Sequence, residues 1–266
     1  MGWSQLFIAS RTPGAPPPPL PVRVLNCLLV WLALSLVFFF AFHQLAYQWH
    51  WQAVGANWEL FVNGWLCTIE ISAAALVLST VLGLLLALAR RSRVLALNYF
   101  GRVYVEIVRG TPLLVQIMIL FYVVAPALRV PDRYRVAEGV VILSCFSGAY
   151  IAEIIRAGIE SVGRSQLESA QAIGLTRPQI YRYVIFPQAL RQTLPPLAGQ
   201  FASLIKDSSL LYIISIPEFT ANANAVNATT FSPFECYIPL AVGYLILTLP
   251  ISLWTRRLER RHKFET

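Results

Sequence analysis

Charge is scarce in this chain, and the common catalytic motifs are absent. Of its 266 residues only 13% are Asp, Glu, Lys or Arg, and none of these occurs between Arg23 and Glu59. A soluble domain carries about 25%, so that class is excluded. There is no GxxxxGK[ST] phosphate loop, which excludes nucleotide hydrolysis by that route, and neither GxSxG nor HExxH is present. The four cysteines (Cys27, Cys67, Cys145, Cys236) lack CxxC or other metal-ligand spacing and read as small apolar packing residues. Cys67 and Cys236 both fall near the outer face, so a disulfide between them is open. The three histidines, His43, His50 and His262, fall at a span boundary, in a loop and in a tail. A cleavable signal peptide is also missing, because the first apolar run is too long and no small-residue cleavage site follows it.

What the chain does have is apolar length. It is 57% hydrophobic with a mean hydropathy of +0.60, and a spanning helix needs about 20 mostly apolar residues. Six spans are expected: residues 24 to 42, Trp65 to Ala89 broken by Glu70, Thr111 to Leu128, Gly139 to Gly158, Leu197 to Pro217 and Cys236 to Thr255. With the N-terminus inside, sixteen Lys and Arg fall on inner segments. Only Arg129, Arg133 and Arg135 fall outside. The positive-inside rule therefore puts both termini in the cytoplasm. The net charge of +8 follows from that topology and from attraction to anionic membrane lipid, and a nucleic-acid partner is not needed. The lead-in "PGAPPPPLP" (13 to 21) reads as a stiff extended spacer. The loop from His43 to Gly64 holds Trp49, Trp51 and Trp58, which suits the water–lipid boundary, and "EFTANANAVNATTFSPFE" (218 to 235) reads as an outer loop.

One stretch departs from this pattern. Residues 159 to 194 carry four arginines, Glu160, Glu168 and several glutamines, too polar to span but locally well specified. Ser165 and Glu168 fit a capping box, and Gly174 suits a left-handed helix stop. Thr176 and Gln179 repeat the box with Pro178 in the first turn, and Pro187 is expected to end the second helix. The reading is helix, glycine corner, helix.

Charges inside spans are rare and often mark a pathway. Glu70 is open to substrate contact or to pairing with a neighbouring helix. Glu153 and Arg156 are spaced to pair on one helix face. Lys206 and Asp207 are adjacent, point to different faces, and each needs its own partner or water.

Five blocks then occur in an order that resembles one family. They are "VRGTPLLVQIMILFY" (108 to 122), "GAYIAEIIRAGIESV" (148 to 162), "ESAQAIGLTRPQIYRYVIFPQ" (168 to 188), "FPQALRQTLPPL" (186 to 197) and "LIKDSSLLYIISIPE" (204 to 218). The chain resembles the permease subunits of ATP-binding-cassette importers for polar amino acids, a group similar also to opine importers, over about residues 61 to 257. Glu168, Ala170, Gly174 and Pro187 match the family's coupling-loop signature. Ser169 replaces an Ala, Ser165 stands where Gly is common, and Gly199 where Asn is common.

The resemblance implies an all-α integral membrane protein, with a five-helix type I importer core preceded by one added helix. Residues 1–60 would hold the N-terminal segment, first span and outer loop, 61–257 the transmembrane domain, and 258–266 a basic cytoplasmic tail. It implies an ATPase-coupling loop using Glu168, Ser169, Ala170, Gly174, Leu175, Ile180 and Pro187. The candidate pathway or gating residues are Glu70, Arg109, Gln116, Glu153, Lys206 and Asp207. The implied partners are a cytoplasmic ATPase dimer, which binds ATP and Mg so that this chain needs no cofactor, a second permease (identical or paralogous), and an external solute-binding protein. The location implied is the bacterial inner membrane. An ion-coupled secondary carrier and a non-transporting scaffold or sensor are the rival readings, although no inverted repeat supports the carrier.

Overall fold

A computed structural model describes residues 18–43 and 47–262. No strand occurs among them. The chain divides into two units, Met1–Trp49 and His50–Thr266. In the first, α1 (Leu20–His43) is one uninterrupted apolar helix with exposed side chains, which suits contact with lipid. Most of the proline-rich lead-in lies outside the described residues, and Leu20 and Pro21 already belong to α1.

The second unit begins with a short α2 (Gln52–Ala56) and then α3 (Trp58–Arg90). At about 1.5 Å per residue, α3 is longer than a 30 Å hydrocarbon core requires. It is followed by α4 (Leu95–Gly110), and α5 (Leu113–Ala127) leaves α4 at a bend of 109°. A π-helical turn interrupts α5 at Leu120–Val124. After a single 3-10 turn, α6 (Arg135–Glu160) runs parallel to α3, as the pairing of Ala75 with Ser144 and of Arg90 with Glu153 shows.

The α3–α6 contact is set by small residues. A Cβ on Gly83 would sit 2.5 Å from Cγ2 of Ile151 and 3.0 Å from the Gly148 carbonyl oxygen, and one on Gly148 would sit 3.2 Å from Cβ of Leu82. Ser144 donates back to Val140 O (2.6 Å) and lies 3.3 Å from Ala75 O. Small side chains allow such close backbone approach, the usual basis of helix association in lipid. Around the seam, Ile71, Ile117, Leu143, Leu204, Leu211 and Ile214 pack into the main core.

Two expected elements differ. The span placed at Leu197–Pro217 is not one helix. Instead α9 (Phe186–Asp207) starts earlier and stops at Asp207, and Ser208–Ile214 is a 3-10 segment that ends at Ser215 with φ 58°. The Ser208 and Ser209 hydroxyls donate to Ile205 O (2.8 Å) and Lys206 O (2.6 Å). Such back-bonding competes with the α-helical ladder and favours a tighter turn. Among the described residues, four helices are long and apolar enough to cross a membrane (α1, α3, α6 and the last helix, which begins at Pro233), or five with the bent α4–α5 pair.

The second difference is the stretch 218 to 235, expected as an outer loop, most of which folds as α10 (Phe219–Thr230). Glu218 caps it by accepting from Thr220 N–H (2.9 Å) and Ala221 N–H (2.7 Å). Phe219, Ala223 and Val226 are buried on one face against Phe61 and Cys236. Then α11 (Pro233–His262) closes the fold. All four cysteines are free.

Because the seam leaves no room at Gly83, Gly83→Val should destabilise the protein by about 1–3 kcal/mol through overpacking. Gly199→Ala should not, since a Cβ there meets nothing within 4 Å. Thermal unfolding in detergent, compared between the two variants, checks this.

Candidate functional site

The polar segment forms a compact hairpin between α6 and α9. Its first helix, α7 (Arg164–Ala172), starts from Gly163, whose extended backbone makes it the N-cap. Ser165 therefore lies inside the first turn, and the expected Ser165–Glu168 capping box is not formed. The cause is the short link from α6, in which Val162 is pinned in a small core with Ala170, Ile180, Ile185 and Ala189.

Gly174 adopts φ +82°. Its N–H donates to Gln171 O (2.9 Å), and Leu175 N–H reaches back to Ala170 O (3.1 Å). That is the paired C-terminal stop in which glycine avoids a Cβ clash. The following α8 (Arg177–Ile180) is opened by Thr176, whose N–H donates to Gln179 Oε1 at 2.8 Å.

Pro187 does not end the second helix. A π-helical turn at Tyr181–Ile185 leads straight into α9, with Pro187 in the first turn of α9. The wider turn accommodates the missing N–H and the ring, so the chain continues where an ordinary helix would break. At the base of the hairpin, a Cβ on Gly158 would lie 2.2 Å from Cγ2 of Thr193, which marks how closely α6 and α9 approach.

The expected coupling residues divide by burial. Ala170 and Ile180 are buried, Leu175 and Pro187 are half-buried, and Glu168, Ser169 and Gly174 are exposed. Ser165, Gln166, Ser169, Ile173, Leu175 and Val184 line an open concavity of about 380 Å³. Ile173 on its rim is 76% exposed. An exposed apolar side chain beside polar ones on a short, self-capped hairpin is a surface suited to receiving a partner.

A second constellation lies where α3, α4 and α6 end together. Glu153 binds Arg90 (2.7 Å), Arg156 (2.5 Å) and Arg109 (3.5 Å). Arg156 also pairs with Glu160, and Arg109 lies over the Tyr150 ring at 5.5 Å. One carboxylate thus ties three guanidinium groups from three helices. Beside it, Gln116 donates to Val108 O (2.7 Å) and lies 2.8 Å from the Thr111 hydroxyl. Its amide closes the α4–α5 elbow at a carbonyl that Pro112 cannot satisfy.

The remaining candidates stand apart from both groups. Lys206 is exposed and Asp207 half-buried at the point where α9 gives way to the 3-10 segment, and Glu70 is exposed midway along α3. None of these three makes an ion pair among the described residues.

Three participants were not anticipated. In the sequence Arg90 stands only as one of the sixteen inner-segment charges. Glu218 is fully buried and, besides capping α10, accepts from the Tyr244 hydroxyl at 2.9 Å. Glu235 is also fully buried and accepts from His50 N–H. The i, i+4, i+7 pattern of Phe219, Ala223 and Val226 was the available signal that a capping residue preceded a helix.

Apolar helices joined by an exposed, self-capped hairpin define a polytopic membrane subunit built to engage a partner. Residues 79–264 match the family described as binding-protein-dependent transport system inner membrane component, and the chain belongs to that family. It is 39% identical over 219 residues to the glutamine transport system permease protein GlnP of Escherichia coli K12, covering 81% of this chain and 99% of that protein. It is 31% identical over 222 residues to the glutamate/aspartate import permease protein GltK of Escherichia coli O6:H1, covering 81% and 99%. The crystal structure of an amino acid ABC transporter with histidines matches with a TM-score of 0.74 at 32% identity, covering 81% of this chain and all of that one.

The arginines around Glu153 should contribute unequally. Arg90 is 12% exposed at 2.7 Å, and Arg109 is 38% exposed at 3.5 Å. Arg90→Gln should lower stability by about 1.5–3 kcal/mol, as loss of a charge-assisted hydrogen bond does. Arg109→Gln should cost less than about 1 kcal/mol, as for an exposed pair. Thermal unfolding at low and high salt checks the order, with the Arg109 contribution fading first.

Proposed function

We propose that the chain is the membrane-spanning permease subunit of an ATP-binding-cassette importer for polar amino acids. The carrying observation is the exposed hairpin at α7–α8, with its left-handed Gly174 corner and apolar rim, in a chain of this family. A nine-residue helix and the corner that follows it are too short to hold up in water unaided. They are held here by the small core beneath them and by their caps, which leaves the outer face free for an ATPase.

In this reading the hairpin faces the cytoplasm with both termini, as the arginine distribution supports. A dimeric ATPase on that side binds ATP and Mg, and its closure moves the hairpin. A binding differential between two states is the only source of such work, so the contact must be direct. A second permease, identical or paralogous, completes the pathway, and a solute-binding protein delivers amino acid from outside. The substrate class is supported by relatives named for glutamine and for glutamate and aspartate.

Within the bundle, Lys206 and Asp207 sit where α9 breaks. Ionisable side chains at membrane depth face a bundle interior or a water-filled cavity, so we place them, with Glu70, along the pathway. Glu153, Arg109 and Gln116 belong instead to the elbow and the end of α6, where they hold the frame that the hairpin moves.

Uptake of labelled polar amino acids into proteoliposomes containing this chain with its ATPase and binding protein tests the proposal. Uptake should require ATP. Ile173→Asp, which puts a carboxylate on the apolar rim, should reduce it roughly thirtyfold if this side chain anchors the ATPase as interface hot spots do, while the chain remains folded in the membrane. Uptake driven by an ion gradient without ATP, or normal uptake in both Ile173→Asp and Glu168→Lys, would overturn it.

A further inference from the structure

Between the end of α3 and the start of α4 lies an open groove of about 540 Å³. Its walls are Leu82, Leu85, Leu86 and Leu88 from α3 and Leu97 and Phe100 from α4, with Ser92 as its polar residue. The corner is rigid, because Asn98 Nδ2 donates to Arg90 O at 2.5 Å and Gly101 packs against Cγ of Arg90.

The charge at this corner is one-sided. No carboxylate occurs between Glu70 and Glu106, whereas Arg90, Arg91, Arg93 and Arg102 all do. Glu153 neutralises Arg90. Arg91 is bound to a neutral partner, the Tyr181 hydroxyl at 2.6 Å. Arg93 and Arg102 are exposed and make no ion pair among the described residues. Arg102 shares an exposed face of α4 with Glu106, one turn on, so Arg91 and Arg93 are the two positive charges left at this corner among the described residues.

The orientation of α4 fits a surface position. It meets α5 at 109°, so when α5 runs across the bilayer, α4 lies close to the membrane plane. It exposes Leu95, Phe100, Val103 and Ile107 together with Arg102 and Glu106. Such a two-sided helix belongs at the boundary between headgroups and acyl chains.

We propose that this corner is a binding site for an anionic phospholipid, with an acyl chain in the α3–α4 groove and the phosphate held by Arg91 and Arg93. The occupant is set by the combination: a leucine-walled groove excludes a free anion, and the uncompensated arginines select a negative headgroup over a zwitterionic one. Arg91 connects the site to the hairpin, since its guanidinium also lies over the Tyr181 ring at 5.8 Å. Bound lipid would share that arginine with the turn leading into α9.

Native mass spectrometry of the full chain, purified with the subunits that accompany it, tests this by titration with dioleoyl phosphatidylglycerol or dioleoyl phosphatidylcholine. The first phosphatidylglycerol should bind more tightly than phosphatidylcholine. Arg93→Gln should weaken phosphatidylglycerol roughly fivefold, the effect of one basic residue at an anionic surface, and leave phosphatidylcholine unchanged. Leu85→Trp, which fills the groove, should weaken both, and Arg256→Gln on α11 should alter neither. Equal affinity for the two lipids in the wild-type protein, or unchanged phosphatidylglycerol affinity in both Arg93→Gln and Leu85→Trp, overturns the proposal. So does a Leu85→Trp protein that keeps its lipid but loses a chain–chain complex, because the groove would then seat a second copy.

Discussion

The close approach of α3 to α6 is the contact on which the other placements depend. In lipid no hydrophobic force draws two apolar helices together, because the acyl chains are as apolar as leucine. Association then rests on how near the backbones can come. Gly83 opposite Ile151 and Gly148, with Ser144 returning its hydroxyl to the backbone, lets these two helices lie in direct contact over their middle portions. Once they are side by side and parallel, Arg90 and Glu153 arrive at the same end. Neither residue would have a reason to be there without the seam above it.

That end is also where the polar hairpin is rooted. α6 leaves the Glu153 cluster and within a few residues reaches Gly158, pressed against Thr193 of α9, and Val162, buried in the hairpin's core. Between the bundle and the hairpin there is little slack. The left-handed Gly174 corner, the Thr176–Gln179 cap and the π-helical turn before Pro187 satisfy the backbone of a segment too polar to enter the membrane. Its outward face is consequently free of structural duty.

Much of this was legible in the sequence because the relevant signals are local. Apolar runs placed α1, α3, α6 and α11. Gly174 and the Thr176–Gln179 pair were readable from spacing alone. What escaped depended on contacts between distant parts of the chain or on choices between near-equal local options. Gly163 rather than Ser165 became the first cap because burial of Val162 fixed the start of the turn. Pro187 was read as a stop because its missing donor is a local fact, whereas the π-helical turn that absorbs it is a property of the whole α8–α9 connection. Ser208 and Ser209 shortened α9 through their own hydroxyls, a signal present in the sequence but outweighed by the apolar run around it. The outer stretch was read as loop from its Asn and Thr content, and the apolar stripe of Phe219, Ala223 and Val226 decided otherwise.

Charge within the bundle falls into two kinds, and geometry separates them where sequence could not. Glu153, Arg90, Arg109 and Arg156 satisfy one another across three helices, and Glu218 is consumed by two backbone amides and the Tyr244 hydroxyl. Groups so engaged can be moved as a unit but are poorly placed to exchange partners with a passing solute, since the most buried of them, Arg90 and Glu218, would lose the partners that compensate them. Glu70, Lys206 and Asp207 have no such engagement, and two of them stand at the break in α9. A permeating polar molecule needs groups that bind it and then release it. In the import pathway we propose, the loosely held charges would meet that requirement, and the tightly held ones would keep the surrounding helices in place while it passes.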